Sequence, residues 1–395
     1  MSFDFDHPIP RGGTDSVKWD GRRAYFGRED VLPMWVADMD FAAPEAVTRA
    51  LTDRAAHPVY GYTRFPERLF EALIGWMRDR HGWTIEREWI LLAPGVVPSL
   101  HVASLAFAGA GEGVIVQPPV YFPFFSAVTA TGRRLIENPL RLDGGRYVMD
   151  FDHLEQCAAQ ADARLLLLCS PHNPVGRVWR QEELRAVLDI AAKHELVVLA
   201  DEIHHDLVYP EHRHVPLARL AADPSRVVTA VAPSKTFNIP GMGLSALIVP
   251  DAEQRARLVQ AFDLLHVTPA NPFSIAAFAA AYGAGGVWLE ALLAYLAATR
   301  NAAIDHVSAH LPGIRAIQPE GTYLLWLDCR GLGLDDDALK RFFIDSARVG
   351  MNPGTVFGTG GSGFMRLNLA APRSLVLEAL ARIGDALAEK PGATP

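Results

Sequence analysis

Residues 165–206 read LLLLCSPHNPVGRVWRQEELRAVLDIAAKHELVVLADEIHHD, and their pattern decides the fold class. Leu165–Cys169 is a short continuous apolar run that stops at Ser170-Pro171, as suits a strand buried on both faces. Glu182–His194 follows, with Leu184, Val187, Leu188 and Ala191 on one helical face. Val197–Ala200 is the next apolar run and is closed by Asp201-Glu202. A strand, a crossing helix and a second strand, with both strands apolar throughout, form the unit of a parallel sheet.

The same kind of run recurs on either side, at Trp89–Leu92, Gly113–Val116, Val227–Val231 and Ala246–Val249. The alternation predicts an α/β domain, a mostly parallel sheet with helices on both sides. After Val249 the pattern changes. Trp288, Leu292, Tyr295, Leu296 and Thr299 recur at helical spacing in a segment that runs to about His310. Short strands return, Thr322–Asp328 the clearest, and Ser374–Glu389 reads as a final helix. The expected organisation is a large domain over 45–285, a smaller α+β domain over 286–395, and residues 1–44 packing with the smaller one. The tail Lys390–Pro395 reads as frayed.

Composition narrows the function. The chain has 395 residues, 50% of them hydrophobic and 21% charged, which suits a globular protein with a large core. A formal charge of −8 and the lack of any Lys/Arg run argue against nucleic acid as a partner. Three scattered cysteines, Cys157, Cys169 and Cys329, offer neither a disulfide framework nor a zinc motif. No basic-then-apolar leader and no membrane-length apolar run is visible, so the expectation is a cytoplasmic enzyme acting on a small molecule.

Ligands of open α/β sheets sit beyond the carboxyl ends of the strands, so the polar residues there are the candidates. Leu165–Cys169 leads to Asn173, Val197–Ala200 to Asp201, and Val227–Val231 to Ser234-Lys235. Pro94-Gly95-Val96-Val97-Pro98-Ser99, between a strand and a helix, is a turn whose N–H groups suit a phosphate. An amine, a buried carboxylate, an amide and a phosphate cradle are what a pyridoxal cofactor needs: the amine for an imine, the carboxylate for the pyridine nitrogen.

Each residue has a blander reading. A lysine after a strand is usually solvated, Asp201-Glu202 caps helices well, and Asn173-Pro174 is an ordinary turn and a candidate cis peptide. Tyr121 and Phe122 fit a core, and Arg366 a surface ion pair. His204-His205 lacks the spacing of a metal site, because adjacent residues point apart.

Several longer motifs tip the balance. Leu32-Pro33-Met34-Trp35-Val36-Ala37-Asp38-Met39-Asp40-Phe41, Tyr60-Gly61-Tyr62-Thr63, Asp201-Glu202-Ile203-His204-His205-Asp206-Leu207 and Ser234-Lys235-Thr236-Phe237-Asn238-Ile239 occur in that order. With them the chain resembles a fold-type I pyridoxal-phosphate enzyme of the aminotransferase class I/II superfamily. Within it, the resemblance is to the cystathionine β-lyase branch known as the PatB/MalY group. It extends from Thr14-Asp15-Ser16-Val17-Lys18-Trp19-Asp20 to Arg366-Leu367-Asn368-Leu369-Ala370.

The resemblance implies a seven-stranded sheet, pyridoxal 5′-phosphate as cofactor, no metal, and a homodimer with shared active sites. It implies that Lys235 forms the Schiff base, Asp201 partners the pyridine nitrogen, Asn173 donates to the phenolic oxygen and Tyr121 stacks on the ring. Val96, Val97 and Ser234 would hold the phosphate, Tyr60 would reach the partner's phosphate, and His204 would stand beside Asp201 at the cofactor. Arg366 would clamp the substrate α-carboxylate, with Asn173 and Tyr121 alongside. Pro240-Gly241-Met242-Gly243 and His101 depart from the expected pattern near the cofactor. The implied activity is β-elimination from L-cystathionine or a related cysteine S-conjugate, giving a thiol, pyruvate and ammonia. An aminotransferase of aromatic or neutral amino acids is the alternative. A pyridoxal-phosphate sensor domain of a transcription regulator fits less well, because the chain is acidic and opens directly on the enzyme-like segment.

Overall fold

The computed structural model describes residues 3–269 and 271–389. The tail Lys390–Pro395 lies outside them. The large sheet has seven strands: β1 (Ile90–Ala93), β2 (Gly113–Val116), β3 (Arg134–Glu137), β4 (Ala163–Cys169), β5 (Val197–Asp201), β6 (Val227–Val231) and β7 (Ser245–Ile248). Their spatial order is β1-β7-β6-β5-β4-β2-β3, and all pairings are parallel except the two made by β7. The runs read from the sequence lie within a residue or two of these strands. β3 has no such run, because it is a sheet-edge strand with only Ile136 buried.

Period-two alternation sorts each central strand between two apolar layers. Leu166, Leu168, Val198 and Ala200 point into one, and Leu165, Leu167, Cys169, Val197 and Leu199 into the other. Helices cover both faces, which is why the strands are apolar on every residue. One is α1 (Val96–Phe107) and another is α2 (Gln181–Lys193), whose Leu184, Val187 and Ala191 are buried. At the start of α2 the Arg180 backbone N–H donates to the Glu183 carboxylate at 2.7 Å.

Beyond the large sheet runs α3 (Gly286–His310), then a four-stranded antiparallel sheet in the order β8 (Arg315–Ile317), β9 (Leu324–Asp328), β11 (Phe364–Asn368), β10 (Asn352–Pro353). The last helix is α4 (Arg373–Ala388). One face of the small sheet, with Leu325, Leu327, Met365 and Leu367, packs on α3 and α4; Leu324, Trp326 and Phe364 on the other face join the main core. We propose the division 1–44, 45–285 and 286–395 on these elements. Residues 1–44 touch both sides. Leu32–Pro33 pairs in parallel with Val349–Gly350, whereas Asn238 Nδ2 donates to the Met39 and Phe41 carbonyls.

A buried ion network joins the two sheets. Glu320 accepts from Arg177 Nε at 3.0 Å, from Arg146 Nε at 2.7 Å and from the Val178 amide at 2.9 Å. Removing one partner of such a network strands the other charges. Glu320→Ala is therefore expected to lower unfolding free energy by about 3 kcal/mol, read by urea denaturation. A loss under about 0.5 kcal/mol would show that the network contributes nothing to stability.

Candidate active site

The register of the parallel strands decides which side chains meet. Cys169 lies opposite Asp201, and Asp201 opposite Ala230, so β4, β5 and β6 end nearly flush. The segments that follow them open into one cleft of about 190 Å³ between the large sheet and the 35–41 segment. It is lined by Val96, Val97, Tyr121, Asn173, Asp201, His204, Ser234 and Lys235, together with Ala37, Cys169, Pro240 and Gly243. Arg366, on β11, joins this set through Asn173, whose Oδ1 accepts from its Nη1 at 2.9 Å. Tyr60 lies elsewhere: it is 55% exposed, packs on Phe273 and donates to the Ala55 carbonyl.

Lys235 follows β6 in a one-turn helix (Pro233–Thr236) that carries its side chain into the cleft. Its Nζ donates to the Ala37 carbonyl at 2.6 Å. Burial, and then the Arg366 guanidinium, bring its pKa down to about 8, against weaker opposing pulls from Asp38 and Asp201. The amine is thus partly neutral near pH 7.5, the condition for a nucleophile. In cofactor-free protein, reductive methylation of Lys235 is expected to show a midpoint near pH 8. Mass spectrometry of the labelled peptide reads it; a midpoint above pH 10 would contradict the assigned environment.

Asp201 ends β5, and its Oδ1 accepts one hydrogen bond, from the Ile203 amide at 3.1 Å. No cation stands within ion-pair distance among the described residues. Burial therefore drives its carboxyl up to about 7, raised further by Glu202 and opposed by the Ile203 bond and, more weakly, by the Lys235 amine. A buried carboxylate facing a cleft without an ion-pair partner fits a ligand that brings a positive group. His204 Nδ1, Ser170 Oγ and Arg366 Nε are also buried without partners in this region. Burial, with Lys235 and Arg366 nearby, holds His204 neutral.

The cleft is also lined by the start of α1, whose N-cap is Gly95 with a φ of 151° that suits glycine, and no side chain caps the helix. The first amides of α1 are left for an anion. Cation-seeking carboxylate, anion-seeking helix terminus and low-pKa amine together fit pyridoxal phosphate in charge and chemistry.

The sequence reading missed several groups that shape the cleft, because they act through backbone or arrive from distant segments. Tyr323 Oη donates to the same Ala37 carbonyl at 2.9 Å. Trp35 supplies a carbonyl and Asn352 an amide oxygen to Arg366. Of the two departures noted above, Pro240 and Gly243 line the cleft, whereas His101 turns its Nδ1 to the Val97 carbonyl at 3.0 Å. The adjacent histidines part company as expected. His205 turns away toward His81 and Asp206, and the ligating atoms of these three lie within 4.8 Å of one another. Asp206 there already accepts from Trp76 Nε1 at 3.0 Å and Thr236 Oγ1 at 3.0 Å, and faces His81 Nε2 at 2.8 Å. The cluster is a hydrogen-bonded support beneath the lysine turn.

The chain is 42% identical over 386 residues to the cystathionine beta-lyase PatB of Bacillus subtilis (strain 168), covering 98% of this chain and all of that one. It is 33% identical over 387 residues to the protein MalY of Escherichia coli (strain K12), covering 98% and 99%. Among solved structures, cystalysin from Treponema denticola, which contains a pyridoxal 5′-phosphate cofactor, superposes with a TM-score of 0.95. Its identity is 37%, over 98% of this chain and 100% of that one. The family model of aminotransferase class I and II matches residues 29–383, and the chain belongs to that family.

Proposed function

We propose that this chain is a pyridoxal-phosphate-dependent carbon–sulfur β-lyase. It cleaves L-cystathionine or a related cysteine S-conjugate with water to a thiol, pyruvate and ammonia. The observation that carries the reading is that Lys235, Asp201 and Asn173 line one cleft and Arg366 bonds to Asn173. The likeness to PatB and cystalysin directs the choice of reaction.

The residues divide the work. Lys235 would hold the cofactor, with Asp201 at the pyridine nitrogen, Asn173 at the phenolic oxygen and Tyr121 over the ring. Val96, Val97 and Ser234 would take the phosphate, and His204 would stand beside Asp201. Bound there, the cofactor supplies an aldehyde for covalent attachment of the substrate amine and a ring that withdraws electrons from Cα. Lys235, its amine free once the substrate amine is attached, would take the proton from Cα. The Cβ–S bond breaks, the electron pair leaves with sulfur, and the thiolate takes up a proton. Arg366 and Asn173 hold the α-carboxylate so that the Cα–H bond faces the lysine.

Arg366→Lys keeps the charge and loses the planar fork. KM for the amino acid is expected to rise about 30-fold, with kcat changed less than about fivefold. Steady-state kinetics checks this, and an unchanged KM would remove Arg366 from the substrate site.

We infer a cytoplasmic homodimer. Val59, Tyr60 and Tyr62 stand out in solvent, Tyr62 fully, and a second copy would cover them and receive Tyr60 near its phosphate cradle. The three cysteines are free thiols, in keeping with a reducing compartment. Among the described residues, no single helix is long and apolar enough to cross a membrane.

The test is incubation with L-cystathionine, with and without 2-oxoglutarate. Pyruvate and homocysteine released without the keto acid support the lyase. Turnover that requires 2-oxoglutarate and yields glutamate would make the protein an aminotransferase.

A further inference from the structure

The guanidinium of Arg366 has five N–H groups, and its bonding pattern constrains how a substrate can dock. Nη1 donates to Asn173 Oδ1 at 2.9 Å. Nη2 donates twice, to the Trp35 carbonyl at 2.9 Å and to Asn352 Oδ1 at 2.8 Å. Nε is buried and has no partner. A carboxylate can meet a planar guanidinium on two forks, Nε with Nη2 or Nη1 with Nη2, because the third edge carries the side chain's own Cδ. Both forks use Nη2, and both hydrogens of Nη2 are taken.

The occupants of Nη2 differ in freedom. The Trp35 carbonyl is main chain, in a segment pinned on both sides: Met34 N donates to the Gly350 carbonyl and Asn368 Nδ2 to the Val36 carbonyl. Asn352 is a half-buried side chain on β10, directly across from Arg366 in the antiparallel register. Its amide is the one group on Nη2 that can leave by rotation about side-chain bonds, with no movement of backbone.

We propose that Asn352 is a specificity-determining residue for the substrate α-carboxylate: its amide occupies the place on Arg366 that the carboxylate takes, and yields it when the substrate enters. The inference rests on the reading of Arg366 as the carboxylate clamp. A carboxylate brings a full negative charge and a second oxygen to the guanidinium, where the neutral amide offers one dipolar oxygen, so a carboxylate displaces Asn352. A ligand without one cannot do so. The residue thereby separates amino acids from the corresponding amines, and keeps a buried donor satisfied while the site waits.

The test uses the holoenzyme with S-ethyl-L-cysteine, its decarboxylated counterpart S-ethylcysteamine, and propionate as a plain carboxylate probe. Asn352→Asp places a fixed anion on Arg366. KM for S-ethyl-L-cysteine is expected to rise at least about 100-fold and inhibition by propionate to vanish, with cofactor colour retained. Asn352→Leu removes the occupant and places no acceptor there. KM and the propionate inhibition constant are expected to fall about fivefold, with kcat and binding of S-ethylcysteamine changed less than about threefold. A residue that merely orients Arg366 would raise KM in both variants, and that result would overturn the proposal. If the wild-type protein cleaves no cysteine S-conjugate, the lyase reading fails. Propionate titration, followed by the cofactor's visible absorbance, would still decide the role of Asn352.

Discussion

Lys235→Ala is expected to leave a folded protein that binds pyridoxal phosphate without the yellow colour of the lysine-bound form. Turnover should fall at least about 10⁴-fold, because the proposed covalent anchor and proton carrier would be lost together. Folding should survive. The side chain contributes one hydrogen bond, to Ala37, and a buried amine whose proton is opposed by Arg366. Absorbance spectra, thermal unfolding and pyruvate release read the three consequences separately. The sharper check is chemical rescue. A small primary amine such as methylamine should restore part of the activity of Lys235→Ala, because the vacated space faces the cleft. It should do nothing for wild type. Retained yellow colour with borohydride labelling at another lysine would overturn the assignment.

Asp201→Asn is the second large effect, and it acts through charge at constant shape. Turnover is expected to fall about 10³-fold while the lysine-bound colour persists, since the amide cannot hold a proton on the pyridine nitrogen. The cofactor-free protein should behave in the opposite sense. Asp201 has a folded pKa near 7 against an ordinary 3.8, so the native state holds this proton more tightly than the unfolded chain does. Its contribution is therefore most favourable below about pH 4, and is lost progressively as pH rises toward 7. The loss amounts to at most on the order of 4 kcal/mol. Cofactor-free Asp201→Asn should lack this decline and be the more stable protein at pH 8. Urea unfolding between pH 4 and 8 measures both slopes; parallel slopes would mean that Asp201 is not the buried, uncompensated acid described. A cofactor bound as proposed would offset the penalty by bringing a positive charge to Asp201.

Those two residues were legible because each follows a continuous apolar run, and the rule that polar residues at the carboxyl ends of parallel strands face the ligand is local. Asn173 was found the same way. Ser234 stands beside Lys235 at the same strand end, and only its phosphate role came from the family resemblance; Tyr121 and Arg366 needed that resemblance altogether, since nothing in their immediate neighbours distinguishes them from core or surface residues. β3 escaped notice for a physical reason: at a sheet edge only Ile136 is buried, so the hydrophobic signal shrinks to one residue.

Ala37, Tyr323 and Asn352 were not legible at all. Ala37 acts through its carbonyl, which every residue possesses, and the bond from Lys235 spans 198 positions. Tyr323 reads as a strand aromatic until its hydroxyl is found on that same carbonyl. Asn352 sits in a two-residue strand too short to leave a periodic trace, and its significance lies in which of Arg366's five donors it occupies.

Apolar periodicity and the residues at strand ends thus set the α/β class, the site's edge of the sheet and the chemistry of the amine and the carboxylate, because burial of alternating side chains is a short-range property of the chain. The protonation states, the clamp on the 35–41 segment and the donors left open on Arg366 arose from folding. They depend on desolvation and on distances between segments hundreds of residues apart, which no local pattern encodes.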